Sequence, residues 1–128
     1  MDCPKCIGQL EPVEYGGEIR IHRCDTCGGL WCDPDNLELM KSTWLAEAAL
    51  DTGSPHVGST LDKVGDIQCP AGHGKMLQRY DPKQKHIWYE ECGTCGGIFL
   101  DAGEFTDLKF DTLLDRFKSL LKGPRPLD

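Results

Sequence analysis

Large apolar and aromatic side chains are scarce in this chain of 128 residues: 39% are apolar and 8% aromatic. So thin a core needs other cross-links, because small domains bury too little surface to hold together by packing alone. Long apolar runs are missing as well, which excludes a membrane-spanning helix and a membrane partner. The N-terminus, Met1-Asp2-Cys3-Pro4-Lys5-Cys6, has no apolar stretch of the kind an export signal needs. The expectation is a soluble, cytoplasmic chain in a reducing compartment, where Cys pairs two residues apart are metal ligands before they are disulfides. Positive charge is also in deficit. With 14 Lys and Arg against 21 Asp and Glu, the net charge of -7 lacks the basic footprint that gives nucleic-acid binders their affinity. Thiolates bound to zinc would make the balance more negative still.

What the chain has is 8 Cys, 15 Gly and an internal repeat. Residues 24–40 read CDTCGGLWCDPDNLELM and residues 92–108 read CGTCGGIFLDAGEFTDL, in ungapped register. A half-site precedes each: Cys3-Pro4-Lys5-Cys6 in the first repeat and Cys69-Pro70-Ala71-Gly72-His73 in the second. Between the half-sites lie hairpin patterns. Val13 to Tyr15, the Gly16-Gly17 turn and Glu18 to Arg23 form one; Met76 to Tyr80, a turn through Asp81-Pro82-Lys83, and His86 to Glu91 form the other.

After each second knuckle a short apolar stretch, Leu30-Trp31 or Ile98-Phe99-Leu100, leads to a helix start. Asp33 followed by Pro34, and Asp101 followed by Glu104, stand where helix N-caps belong. Leu37, Met40, Trp44, Leu45 and Ala48 trace one face of a first helix that ends near Gly53. Phe110, Leu113, Leu114, Phe117, Leu120 and Leu121 trace the face of a longer one, stopped by Gly123-Pro124.

The expected fold class is a small metal-stabilised α+β protein with two zinc ribbons (knuckle, β-hairpin, knuckle, short strand), each followed by an α-helix. The first ribbon and its helix take residues 1–50, and the small, polar stretch 51–66 reads as a linker. The second ribbon and its amphipathic helix take 67–122, and 123–128 is a tail. The linker's length lets the ribbons either pack together or move independently.

Cys3, Cys6, Cys24 and Cys27 have the spacing of a tetrahedral site: two thiolates grip one ion from each tight turn, and the hairpin returns the second pair to the first. The Gly-Gly after each second pair suits a knuckle that needs positive φ. The second site has Cys69, Cys92 and Cys95, with His73 as fourth ligand. Should His73 turn away, three thiolates and a bound water would remain, a catalytic type of centre. The expected cofactors are two Zn²⁺, with iron as the competitor that ligand softness alone does not separate. Cys32 is left over, either as a small buried side chain or as a redox or metal-exchange thiol. His22, His56 and His86 are weaker ligand candidates.

The pattern CPxC, a hairpin, then CxxCGGxWxD and a helix resembles the transcription factor zinc-finger domain family, zinc ribbons similar to the N-terminal ribbon of transcription factor IIB. The resemblance implies ligands at Cys3, Cys6, Cys24 and Cys27, followed by the motif residues Gly28, Gly29, Trp31 and Asp33. A second copy is implied at Cys69, Pro70, Cys92, Cys95, Gly96, Gly97, Phe99, Asp101 and Glu104. This chain departs from the pattern at Gly72-His73, at Phe99 for Trp, at Cys32 for Leu and at Asn36 for Glu. The resemblance is specific for fold, not for function.

Three roles follow. The first is a protein-protein interaction or regulatory adaptor with structural zinc and no enzymatic activity, transcription-related only as far as the resemblance implies; its long second helix serves the ribbon core, a partner's groove or self-association. The second is nucleic-acid binding through Lys83 and Lys85 with Trp88 and Tyr89, or through the mildly basic residues 109–128, a stretch that is more often a helix's solvated face. The third is a redox or metal sensor using Cys32 or a labile second site.

Overall fold

The computed structural model describes residues 1–61, 64–82 and 87–110. Alternating apolar residues build the first hairpin from β1 (Leu10–Tyr15) and β2 (Ile19–Cys24), with Val13 opposite Ile21 and Tyr15 opposite Ile19. Gly16 and Gly17 turn it at φ +67° and +80°. Pro12 is tolerated because β1 is an edge strand. β3 (Leu30–Cys32) is followed by α1 (Pro34–Ser42), α2 (Ala46–Leu50) and α3 (Pro55–Leu61). The second repeat supplies β4 (Leu77–Tyr80), β5 (Trp88–Glu91) and β6 (Ile98–Leu100), after which residues 104–110 are helical. All six strands form one antiparallel sheet in the order β1-β2-β3-β6-β5-β4.

The two ribbons therefore pack together, joined through their third strands. Leu30 pairs with Leu100, Trp31 with Phe99 and Cys32 with Ile98. Trp31 and Phe99 are equivalent positions of the repeat, so exchanging the two repeats maps this register onto itself. The junction is a two-fold interface within one chain. Side chains alternate across β3 and β6: Leu30, Cys32, Ile98 and Leu100 join the core under the helices, whereas Trp31 and Phe99 join the cysteines on the other face.

This junction gives the Gly-Gly pairs two separate reasons. Gly28 and Gly96 take φ +76°, as a knuckle requires. Gly29 and Gly97 are small because the partner repeat's aromatic lies on them: a Cβ at Gly29 would collide with the Phe99 ring, and one at Gly97 with the Trp31 ring. Gly29→Ala or Gly97→Ala should lower stability by about 1–3 kcal/mol through overpacking. Gly93→Ala, whose Cβ would meet only Leu77 Cδ1 at 3.7 Å, should cost less. Urea midpoints of the zinc-loaded proteins measure the difference, and equal costs at Gly93 and Gly97 would contradict this packing.

The first helix departs from its expected face. Asp33 caps it as expected, accepting the Asn36 amide at 2.7 Å, with Pro34 in its first turn. It then stops after Ser42, Leu45 takes φ +62°, and α2 starts in a new direction. The break buries Leu37, Met40, Ala46 and Leu50, leaving Trp44, Leu45 and Ala48 exposed. The Thr43 hydroxyl bonding back to the Leu39 carbonyl at 2.6 Å competes with helix continuation.

Residues 51–66, expected as a linker, carry α3 and touch the rest of the chain closely at Gly53 and Gly58, while most of the described side chains of the stretch are exposed. The Ser54 hydroxyl accepts the Val57 amide at 3.3 Å at the helix start. Small residues allow the contact: Gly53 lies on Gly28, and Gly58 lies against the Ala102 backbone. Asp51 accepts from the Gly103 and Thr106 amides, both at 2.9 Å, and so caps the helix of the second repeat. Asp101, expected in that role, is turned elsewhere, as described below. Lys109 is buried rather than solvated. Its ammonium donates to the Thr43 carbonyl and pairs with Glu47 at 2.7 Å, holding Glu47 below the usual carboxylate range. Phe105 and Leu108 are buried, while Phe110 is exposed. The expected apolar face from Leu113 to Leu121, the tail 123–128, and Lys83, Lys85 and His86 lie outside the described residues.

Candidate metal centres

The first cluster is held by two turns. Cys3 and Cys6 lie on the N-terminal knuckle, closed by the Cys3 amide on the Gly8 carbonyl at 2.9 Å; Cys24 and Cys27 lie where β2 ends, closed by Cys24 on Gly29 at 2.9 Å. Their four sulfurs lie within 4.8 Å of one another. Cys3 Sγ is 3.7 Å from Cys27 Sγ, and Cys6 Sγ is 3.4 Å from Cys24 Sγ. A tetrahedron of thiolates around zinc has an edge of about 3.8 Å, given a Zn–S bond of about 2.3 Å. The donor set therefore fits the ion. Amides of Gly8, Thr26 and Cys27 point at the sulfurs from 3.3 to 3.4 Å, supplying the hydrogen bonds that thiolates need.

The second cluster gathers Cys69, His73, Cys92 and Cys95, again within 4.8 Å. Cys69 Sγ stands 3.8 Å from Cys95 Sγ and 3.5 Å from His73 Nδ1. Amides of Thr94 and Cys95 lie 3.4 and 3.5 Å from Cys92 Sγ. Its first turn closes like that of repeat one, by the Cys69 amide on the Gly74 carbonyl at 2.7 Å. Gly72 therefore occupies the place of Cys6 and His73 that of Ile7. The longer imidazole reaches back from the next position into space that Gly72 leaves open. His22 and His56 stand outside both clusters.

Without an ion, neither cluster ionises fully. In the first, the hydrogen bond with Cys27 draws the Cys3 thiol down to about 5 and pushes Cys27 up, while burial pushes Cys6 up to about 11. In the second, the Cys95 and Thr94 amides draw Cys92 down to about 6, while burial raises Cys95. A bound dication replaces the protons of the reluctant thiols.

Lys5 is a residue that spacing alone does not single out. Its side chain is 0% exposed, sits in the middle of the first knuckle and reaches the second repeat. The ammonium is 2.7 Å from Asp101 Oδ2, 3.1 Å from Glu90 Oε1 and 3.2 Å from the Leu61 carbonyl, and lies 5.9 Å from the Phe99 ring centroid. Burial alone would lower its pKa, but Asp101 and Glu90 outweigh that and raise it. This is why Asp101 is unavailable as a cap. The signal in the sequence was the asymmetry of Lys5 against Ala71 at one position of the repeat.

Cys32 is 5% exposed in the core beneath the helices, and burial, reinforced by the Asp33 charge, pushes its thiol up to about 12. Neither property suits a redox thiol. A thiol reagent added to the zinc-loaded native protein should leave Cys32 unmodified, read by peptide mapping. Fast labelling there would show that the core opens readily.

Residues 2–43 match the family described as transcription factor zinc-finger, a span that holds the whole first cluster, and the second cluster fits a second ribbon of the same kind. No curated protein and no solved structure matches the chain significantly. Among the described residues no helix is long and apolar enough to cross a membrane.

Proposed function

We propose that the chain is an adaptor that binds two structural zinc ions and presents its surface to a protein partner, without catalytic activity. The observation that carries the reading is the use of its basic side chains. Among the described residues each Lys and Arg is engaged: Lys5 with Asp101 and Glu90, Arg20 with Glu14, Arg23 with the Ala49 and Leu50 carbonyls, Lys41 with Glu38, Lys75 with Asp66, Arg79 with Glu91, and Lys109 with Glu47. Among the described residues no basic patch stands ready for phosphates, whereas large apolar side chains project from the surface. Ile7 is 97% exposed at the tip of the first knuckle, and Trp44 is 82% exposed at the corner between α1 and α2. Exposed aromatics of this kind anchor protein interfaces.

The observation that favours nucleic acid instead is the Tyr80 and Trp88 pair on the outer hairpin, half-exposed with ring centroids 5.3 Å apart, a surface on which bases stack. Anisotropy titrations with labelled DNA and RNA separate the two. Weak binding at low salt supports the protein reading; tight binding that falls steeply with salt would replace it. Cross-linked partners of the tagged chain should be lost in Trp44→Ala while both ions stay bound.

A further inference from the structure

We propose that the second cluster is the exchangeable metal site of this chain, opened through His73, whereas the first is closed. This rests on the two-zinc reading above. The clusters share a turn but not its surroundings. In the first, Cys3, Cys24 and Cys27 are buried. A Cβ at Gly8 would stand 2.6 to 2.8 Å from Cys24 Sγ, Thr26 Oγ1 and Asp25 Oδ1, and Gly28 is covered by the backbone of Gly53. Asp25 fastens the turn further by accepting the Gln9 amide at 3.0 Å. Lys5, between the first two ligands, is anchored on Asp101 at 2.7 Å.

In the second cluster Cys69 and Cys92 are buried like their counterparts Cys3 and Cys24, but the other supports do not recur. Cys95 and His73 are exposed. Ala71 replaces Lys5 and has no ammonium to anchor the knuckle. Gly72 and Gly74, at φ +89° and +94°, flank His73, and a Cβ at either would meet nothing within 4 Å. Gly96, the counterpart of Gly28, has only Pro34 near it, at 3.8 and 3.9 Å. His73 itself stands where the first repeat places Ile7, an outward position.

A metal leaves a tetrahedral site by losing one ligand first, and the ligand with least packing and fewest outer contacts goes most readily. Here that ligand is the His73 imidazole. When it swings out, a competing ligand enters the vacated position. Zn²⁺ then passes to the competitor, and Cys69, Cys92 and Cys95 take up protons from solvent, with no change of oxidation state.

The test uses the full chain loaded with zinc. Native mass spectrometry should count two ions; fewer would defeat the two-zinc reading itself, before any exchange is measured. Release to the chromogenic chelator pyridylazoresorcinol should then be biphasic, one equivalent leaving roughly tenfold faster or more, the scale on which outer contacts tune metal sites. Alkylation during the fast phase should label Cys69, Cys92 and Cys95 before Cys3, Cys6, Cys24 and Cys27. His73→Ala should speed the fast phase, or leave one ion bound, with the slow phase unchanged. Both ions leaving together, first label on the N-terminal cluster, or a His73→Ala protein with unaltered phases would each overturn the proposal.

Discussion

Stripping both zinc ions should unfold the chain, with loss of its far-ultraviolet circular dichroism and of its dispersed amide resonances, and adding zinc back should restore them. The core on the cysteine face includes Cys3, Cys24, Cys27, Cys69 and Cys92 packed with Trp31 and Phe99, so it forms only when both knuckles are drawn together. Structural zinc contributes about 10–16 kcal/mol of apparent free energy per site in small fingers. Whole domains are stable by only about 5–15 kcal/mol, so loss of the ions outweighs the remaining packing. Because Cys6, Cys27 and Cys95 hold their protons above neutrality, each ion bound displaces protons. Loading should therefore weaken as pH falls. A chain that kept its spectrum and thermal transition after losing both ions would refute the structural role.

Lys5→Met should be the most damaging change outside the ligands, destabilising the zinc-loaded protein by about 3–5 kcal/mol, the cost of removing one partner from a buried ion pair. Asp101 and Glu90 have side-chain exposures of 3% and 6%, and the substitution leaves two carboxylates in the junction without their ammonium. Because the folded pKa of Lys5 is raised, the contribution of this pair is fully present below the usual lysine value and is lost only as pH rises through the raised one. Lys5→Met combined with Asp101→Leu should recover part of the loss, since it leaves one carboxylate, Glu90, without the Lys5 ammonium instead of two. Denaturant midpoints at neutral pH decide; a loss near that of an exposed pair such as Lys75 with Asp66 would mean that the junction is wet.

Local rules read much of this protein correctly because its strongest constraints are local. The Asp33 cap and the Gly16-Gly17 hairpin each depend on residues a few positions apart. The helical face drawn through Trp44 and Ala48 failed because periodicity carries no information about a break at Leu45. The stretch 51–66 looked like a linker because its glycines mark loops, whereas here Gly53 and Gly58 are small to let another backbone approach. Composition also placed Lys109 on a solvated face, and only its neighbours Glu47 and Thr43 bury it.

By itself the sequence determined which Cys and His side chains gather into two clusters, the two hairpins and the repeat, since all follow from spacing and turn chemistry within single ribbons. The tertiary structure decided what joins them: β3 against β6 in symmetric register, each aromatic on the other repeat's glycine, Lys5 and Asp51 reaching across to serve the opposite repeat. It also decided that one cluster is enclosed and the other open. These are contacts between residues some fifty to a hundred positions apart. Their energy comes from burial and charge pairing at a junction that exists only once both ribbons have folded.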